Sequence, residues 1–236
     1  MPTAGPHHGI AVIIPALNEE AAIGSVIADI PEPFRERVIV VDNGSSDNTA
    51  HIAERAGAIV LQEPERGYGA ACLRGLAQLA AEPPRIVVFL DADYSDDPTQ
   101  MTSLVEPIQS GHADLVLGSR ILGQHEPGAL TPHARFGNAL ASLLIRALYK
   151  VHYTDLGPFR AITWPALERL HLQDRDFGWT VEMQVKAAKA HLRVIEVPVP
   201  YRPRKGRSKI SGTLAGSFKA GKKILWVVFR EAFRSS

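Results

Sequence analysis

The feature that most limits the fold is a series of short, unbroken apolar runs separated by stretches of helical periodicity. Ile10 to Ile14, Val38 to Val41, Ala58 to Leu61, Ile86 to Leu90 and Leu115 to Leu117 are too short for buried helices and lack the alternation of a half-solvated strand. They read as strands covered on both faces, the condition of a parallel sheet. Between them, Glu19 to Ile30 carries Ile23, Ile27 and Ile30, Thr49 to Ala56 follows a polar cluster suited to capping, and Tyr68 to Ala81 spaces Leu73, Leu76 and Leu79 along a helix. Alternation of this kind predicts an α/β fold with a mostly parallel central sheet flanked by helices.

The second half is less regular. A loop containing Gly and Pro runs from Gly118-Ser119-Arg120 to Pro132. Helices are predicted over Ala139 to Tyr149, Thr180 to Ala190 and Leu214 to Phe233, with a strand from Arg193 to Val199 and a mobile loop from Pro200 to Gly212. A chain of 236 residues suits one compact unit. The division expected is a tail over 1–9, an α/β domain over 10–212 and a basic amphipathic helix over 213–236.

Cys72 is the only cysteine, so neither an intramolecular disulfide nor a cysteine-based zinc cluster can form. No apolar run is long enough for a signal peptide or a membrane span, and a cytoplasmic location is expected. Between Arg202 and Arg234 ten Lys or Arg stand against one acid, Glu231. That region reads as a solvated helix face, a phosphate-attracting segment or one that lies on an anionic membrane surface. Packing on the domain or in a homodimer is an equal alternative. Little aromatic interleaving accompanies the charge, which argues against nucleic acid.

Chemistry concentrates where strands end. Asp91-Ala92-Asp93 follows the fourth strand at the carboxyl edge, where open α/β sheets bind ligands. Side chains two apart on an extended segment point the same way, so both carboxylates can bear on one hard cation, Mg²⁺ or Mn²⁺, shared with substrate phosphates. Asp42 closes the second strand in the same manner and can accept from a base or ribose, or simply cap a helix. Pro15 to Glu20 leaves the first strand, with Asn18 placed to cap the next helix.

Four segments together, Pro15-Ala16-Leu17-Asn18-Glu19, Asp42 to Thr49, Asp91-Ala92-Asp93 and Gly118-Ser119-Arg120, resemble family 2 glycosyltransferases of the GT-A fold in order and spacing. Asp155 to Arg160, Tyr201 to Arg204 and Gly206 to Lys209 narrow the resemblance to the dolichyl- and polyprenyl-phosphate mannosyl- or glucosyltransferases. It implies that Pro15, Leu17, Glu19 and Asp42 contact the nucleotide, that Asp91 and Asp93 hold the metal and diphosphate, and that Arg120 meets a phosphate. Asn43 stands where many relatives have Asp, and Ser95 where the lipid-phosphate enzymes often have Gln.

The reaction so implied is inverting transfer of a sugar from a nucleoside diphosphate sugar, GDP-mannose or UDP-glucose, to a polyprenyl phosphate. A phosphate acceptor is ionised near neutral pH and needs cations more than a base, and Arg120, Arg135, Arg202, Arg204 and Lys209 are candidates. A hydroxyl acceptor would need a base, for which Asp155 and Glu182 are the first choices. A non-catalytic nucleotide-sugar-binding protein is the reading outside enzymology.

Overall fold

The computed structural model describes residues 9–206 and 214–233, the side chains of 214–220 excepted. Strands β1 (Ile10–Ala16), β2 (Val38–Asp42), β3 (Ile59–Gln62), β4 (Ile86–Phe89), β5 (Leu115–Ser119), β6 (Arg160–Thr163) and β7 (Val194–Pro198) form one sheet in the order β3-β2-β1-β4-β6-β5-β7. Every pair is parallel except those made by β6, which runs against both β4 and β5. From β1 the chain builds outward through β2 and β3, then returns to place β4 on the other side of β1. The crevice at the carboxyl ends of β1 and β4 is therefore a topological switch point.

Alternation along the strands supplies two cores. Ile13, Val41, Val87 and Phe89 face one layer, while Val12, Ile14, Val40 and Val88 face the other. Each such side chain, fully buried, contributes roughly 1.5–3 kcal/mol of transfer free energy. The first layer is closed by α3 (Tyr68–Leu79), α5 (Pro132–Tyr149), α6 (Trp164–Leu170), α7 (Trp179–Lys189) and α8 (Leu214–Phe233). The second is closed by α1 (Ile23–Asp29), α2 (Thr49–Arg55) and α4 (Met101–Gln109). Trp179 and Cys72 are core residues, the former edge-on to Phe89 at 5.9 Å between ring centroids.

Four expectations need correction. The run Ala58 to Leu61 is not covered on both faces: β3 is an edge strand with β2 as its one neighbour, and Ile59 is 48% exposed. Helix α1 begins at Ile23 because Asn18 takes a left-handed turn (φ 50°), and its Oδ1 accepts from the Ser46 amide at 2.7 Å instead of capping. Helix α5 starts already at Pro132, where Thr131 accepts from the Ala134 amide and a proline in the first turn is at no disadvantage. The loop after Pro200 is pinned as far as it is described: the Arg202 and Lys205 amides donate to the Ser95 and Asp93 carbonyls, both at 2.9 Å.

The C-terminal helix follows its predicted bounds, and two ion pairs fasten it. Arg230 meets Glu182 at 3.0 Å and Lys223 meets Asp174 at 2.9 Å, both carboxylates being buried. Tyr149 of α5 also donates to the Val228 carbonyl at 2.6 Å.

Candidate active site

A cavity of about 360 Å³ opens at the switch point. Pro15, Leu17 and Glu19 line it from the end of β1, and Asp91, Ala92 and Asp93 from the end of β4. Arg66, Tyr68 and Ala71 contribute from the start of α3, Asp176 and Phe177 from the loop before α7, and Arg204 from the strap after β7. The wall formed by α3 depends on close backbone approach. A Cβ on Gly67 or Gly69 would lie 2.0 and 1.9 Å from the Arg175 and Asp174 carbonyl oxygens, and the Ala70 amide donates to that same Arg175 carbonyl at 2.9 Å.

Asp93 is engaged through both carboxylate oxygens. Its Oδ1 accepts from the Ser95 amide and hydroxyl at 2.9 and 2.5 Å, and its Oδ2 lies 3.0 Å from Nη2 of Arg204. The same guanidinium nitrogen reaches Glu19 Oε1 at 2.9 Å. Asp91 accepts from the Tyr68 hydroxyl at 3.0 Å. Burial, reinforced by the Asp93 charge, pushes Asp91 up to about 7. Behind the pair, Asp96 is fully buried and neither of its oxygens has a hydrogen-bond partner among the described residues, so burial drives its carboxyl well above the usual range.

Two crowded carboxylates at a strand end, with a guanidinium drawn against one of them, form an environment that favours positive charge. Among the described residues no group of three or more His, Cys, Asp or Glu could hold a metal unaided. Asp91 and Asp93 therefore fit a hard divalent ion only if its remaining ligands were substrate oxygens and water.

Several predicted residues do not meet at the cavity. Asp42 is buried at the end of β2, and its carboxylate accepts from the Ser45 amide at 3.2 Å, a turn contact. Its neighbour Asn43 lines the cavity and ties it together, donating to the Glu63 and Glu65 carbonyls at 3.0 and 2.7 Å and accepting from the Gly67 amide at 2.8 Å. Only an amide can donate and accept in that way, which accounts for the absence of Asp here.

Arg120 is clamped by Asp155 through Nε and Nη2, both at 2.7 Å, and stacks over Tyr201. Burial alone would raise Asp155, but the Arg120 charge and hydrogen bonds outweigh it and hold the carboxyl below its usual range. Burial likewise opposes the charge on Arg120, and Asp155 more than compensates, raising it. Asp155 is thus a poor base, correcting one expectation. Glu182 corrects another: it is buried, accepts from the Gln173 and Asp174 amides and pairs with Lys186 and Arg230. Its work is to hold α8 and the 173–178 loop.

Arg135 is exposed on α5, Arg202 pairs with Asp97 at 3.1 Å and stacks on Tyr94, and Lys209 lies outside the described residues. Sequence reasoning missed Arg66, Tyr68, Asp176 and Phe177. The Gly67-Tyr68-Gly69 pattern at a helix start was the available signal for the first two. The others sit far along the chain, in a loop that only the fold brings near β4.

A match to the family described as Glycosyl transferase family 2 spans residues 11–170. The chain belongs to glycosyl transferase family 2. A glycosyltransferase of Mycobacterium tuberculosis called uncharacterised is 42% identical over 89% of this chain and 94% of its own length. The dolichyl-phosphate hexose transferase of Haloferax volcanii is 35% identical, covering 95% of this chain and 96% of that protein. The crystal structure of M. tuberculosis glucosyl-3-phosphoglycerate synthase with Mn²⁺, UDP-glucose and glycerol 3-phosphate superposes with a TM-score of 0.74 at 25% identity, covering 97% of this chain and 82% of that one. The mostly parallel sheet flanked by helices matches these neighbours of the GT-A fold.

Proposed function

We propose that this family 2 glycosyltransferase moves a hexose from a nucleoside diphosphate sugar, GDP-mannose or UDP-glucose, to a polyprenyl phosphate with inversion at the anomeric carbon. The observation that carries the reading is the strap Arg202-Pro203-Arg204-Lys205 laid along Asp93 to Ser95, which brings Arg204 to the acidic pair. Pro15, Leu17 and Asn43 would receive the nucleoside, Asp91 and Asp93 would hold Mg²⁺ or Mn²⁺, and Arg204 would shift from the carboxylates to the diphosphate. The ion, when bound, supplies charge neutralisation for the departing nucleoside diphosphate. Arg204 would add a second positive charge facing the diphosphate. Phe177 and Tyr68, which line the same cavity, would limit water there.

The acceptor part rests on two supports. Asp155 and Glu182 are committed to ion pairs, which suits an acceptor that arrives ionised, and the Haloferax relative is named for a dolichyl-phosphate transfer. Such an acceptor presents its phosphate at a membrane surface, and the enzyme would act at the cytoplasmic face. No helix among the described residues is long and apolar enough to cross a membrane. A hydroxyl acceptor is the second reading, because Asp176 offers a carboxylate to the cavity that could act as base.

The test is transfer of labelled sugar from GDP-mannose and UDP-glucose with Mn²⁺, separately into polyprenyl phosphate and into glycerol 3-phosphate. A metal-dependent, organic-extractable and mild-acid-labile product supports the first reading. A water-soluble product abolished by Asp176→Asn supports the second. Asp93→Ala should lower turnover by roughly 10³-fold with the circular dichroism spectrum intact, and undiminished activity would refute the metal assignment.

A further inference from the structure

Tyr94 follows the acidic pair with a φ of 65°, in the left-handed region that a side chain of its size rarely enters. Glycine would occupy the position without strain, so the aromatic group has to be explained by what it touches. The ring is partly buried against the second core layer, and its hydroxyl donates to Oδ2 of Asp29, the last residue of α1. Two cations of the strap stand over the ring, the Arg202 guanidinium carbon 4.3 Å and Lys205 Nζ 3.8 Å from its centroid. Both are within the ~6 Å over which an aromatic face attracts a cation.

Those two residues bracket Arg204 in the sequence Arg202-Pro203-Arg204-Lys205, and each is tied down again nearby. Arg202 pairs with Asp97 at 3.1 Å, and Lys205 Nζ reaches Ser25 Oγ at 3.2 Å. Their amides donate to the Ser95 and Asp93 carbonyls, on either side of Tyr94. Arg204 is held differently. Its Nη2 is shared between Asp93 and Glu19, while its Nε is buried without a hydrogen-bond partner among the described residues. The backbone on both sides of Arg204 is thus anchored around one ring, and the guanidinium between is left incompletely satisfied and able to turn.

We propose that Tyr94 is a positioning residue: its ring seats the strap, so that Arg204 is delivered to Asp93 in the absence of donor and to the diphosphate during transfer, with the backbone of the strap staying in place. Tyr94 is not among the residues that line the donor cavity, so it acts through Arg204. Delivery to the diphosphate rests on the function proposed above, whereas the seating rests on these contacts alone.

The test compares Tyr94→Phe, Tyr94→Leu and Tyr94→Gly in the full chain, each alone and together with Arg204→Ala. Phenylalanine keeps the ring and leucine removes it; glycine removes it at a φ that glycine tolerates, which covers a leucine variant that fails to fold. Hydrogen exchange at the Arg202 and Lys205 amides of the metal-free protein should quicken by about tenfold in the leucine and glycine variants and stay within about twofold of the parent in the phenylalanine variant. Mn²⁺ affinity without donor should rise by up to about tenfold as Arg204 loses its place beside Asp93, and no further once Arg204→Ala is added. Turnover should fall by about tenfold when the ring is removed from the parent and by less than about twofold when it is removed from Arg204→Ala, whereas general damage to the fold would lower both alike. Unchanged exchange in the leucine and glycine variants, exchange quickened as much by phenylalanine, or equal loss of turnover in both backgrounds overturns the proposal. Should Arg204→Ala itself leave turnover unchanged, the diphosphate role of Arg204 fails, and exchange with Mn²⁺ affinity still decides whether Tyr94 seats the strap.

Discussion

Arg204→Ala separates the binding of the metal from its use. One guanidinium nitrogen of Arg204 lies 3.0 Å from Asp93 and 2.9 Å from Glu19, so an ion bound by Asp93 must compete with Arg204. A hydrogen bond to a charged group is worth about 1.5–3 kcal/mol, and Arg204 is 27% exposed, so solvent screening places this one at the lower end. Removing it should tighten Mn²⁺ binding in the absence of donor by about tenfold, 1.4 kcal/mol being one decade. Turnover should move the other way, because a cation facing a departing diphosphate is worth roughly 10²–10³-fold. The assays are Mn²⁺ titration by calorimetry or electron paramagnetic resonance, beside steady-state transfer. Weaker or unchanged Mn²⁺ affinity would refute the competition, and unchanged kcat/KM would refute the shift of Arg204 to the diphosphate.

Asp91 has a folded pKa raised from 3.8 to about 7, so the metal-free fold favours its protonated form and loses that stabilisation as pH rises through 7. The melting midpoint in EDTA should therefore fall from about pH 4 to about pH 7, the interval between the unfolded and folded values, and Asp91→Asn should flatten the fall. Glu182→Gln leaves Arg230 and Lys186 without their shared carboxylate, and should cost about 3 kcal/mol in urea unfolding while turnover of the folded fraction persists; a catalytic base would give the reverse pattern. Gly69→Ala drives a Cβ into the Asp174 carbonyl, 1.9 Å away, and should destabilise by about 3 kcal/mol while raising the KM for donor; a variant as stable as the parent would show that the 173–178 loop is not held there.

How much of this was legible in the sequence depended on how local the cause was. Ile10 to Ile14 and Ile86 to Leu90 announce parallel strands because burial on both faces removes alternation, and Asp91 and Asp93 announce themselves by following one of those strands. The strand Arg160–Thr163 was invisible: four residues beginning with arginine have no strand pattern, and Arg160 is tolerated in the core because it donates to the Gly157 and Thr180 carbonyls. Glu182 looked like a base for a similar reason. An acid in the first turn of a helix carries no mark in the sequence of the arginine 48 positions later that neutralises it. Arg204 stood out as one cation among many, and only the pairing of its strap with Asp93 to Ser95 singles it out.

The pairs Lys223–Asp174 and Arg230–Glu182 bear on any shortening of this protein. A chain ending at residue 213 would keep every residue that lines the donor cavity, yet it would leave two buried carboxylates without these partners directly behind Asp176 and Phe177. Loss of turnover after such a cut would then reflect a slackened cavity wall, whatever else the helix does. Point changes on the outward side of α8 avoid that confusion, because Phe229 and Phe233 can be altered while the two lysine and arginine fasteners stay in place.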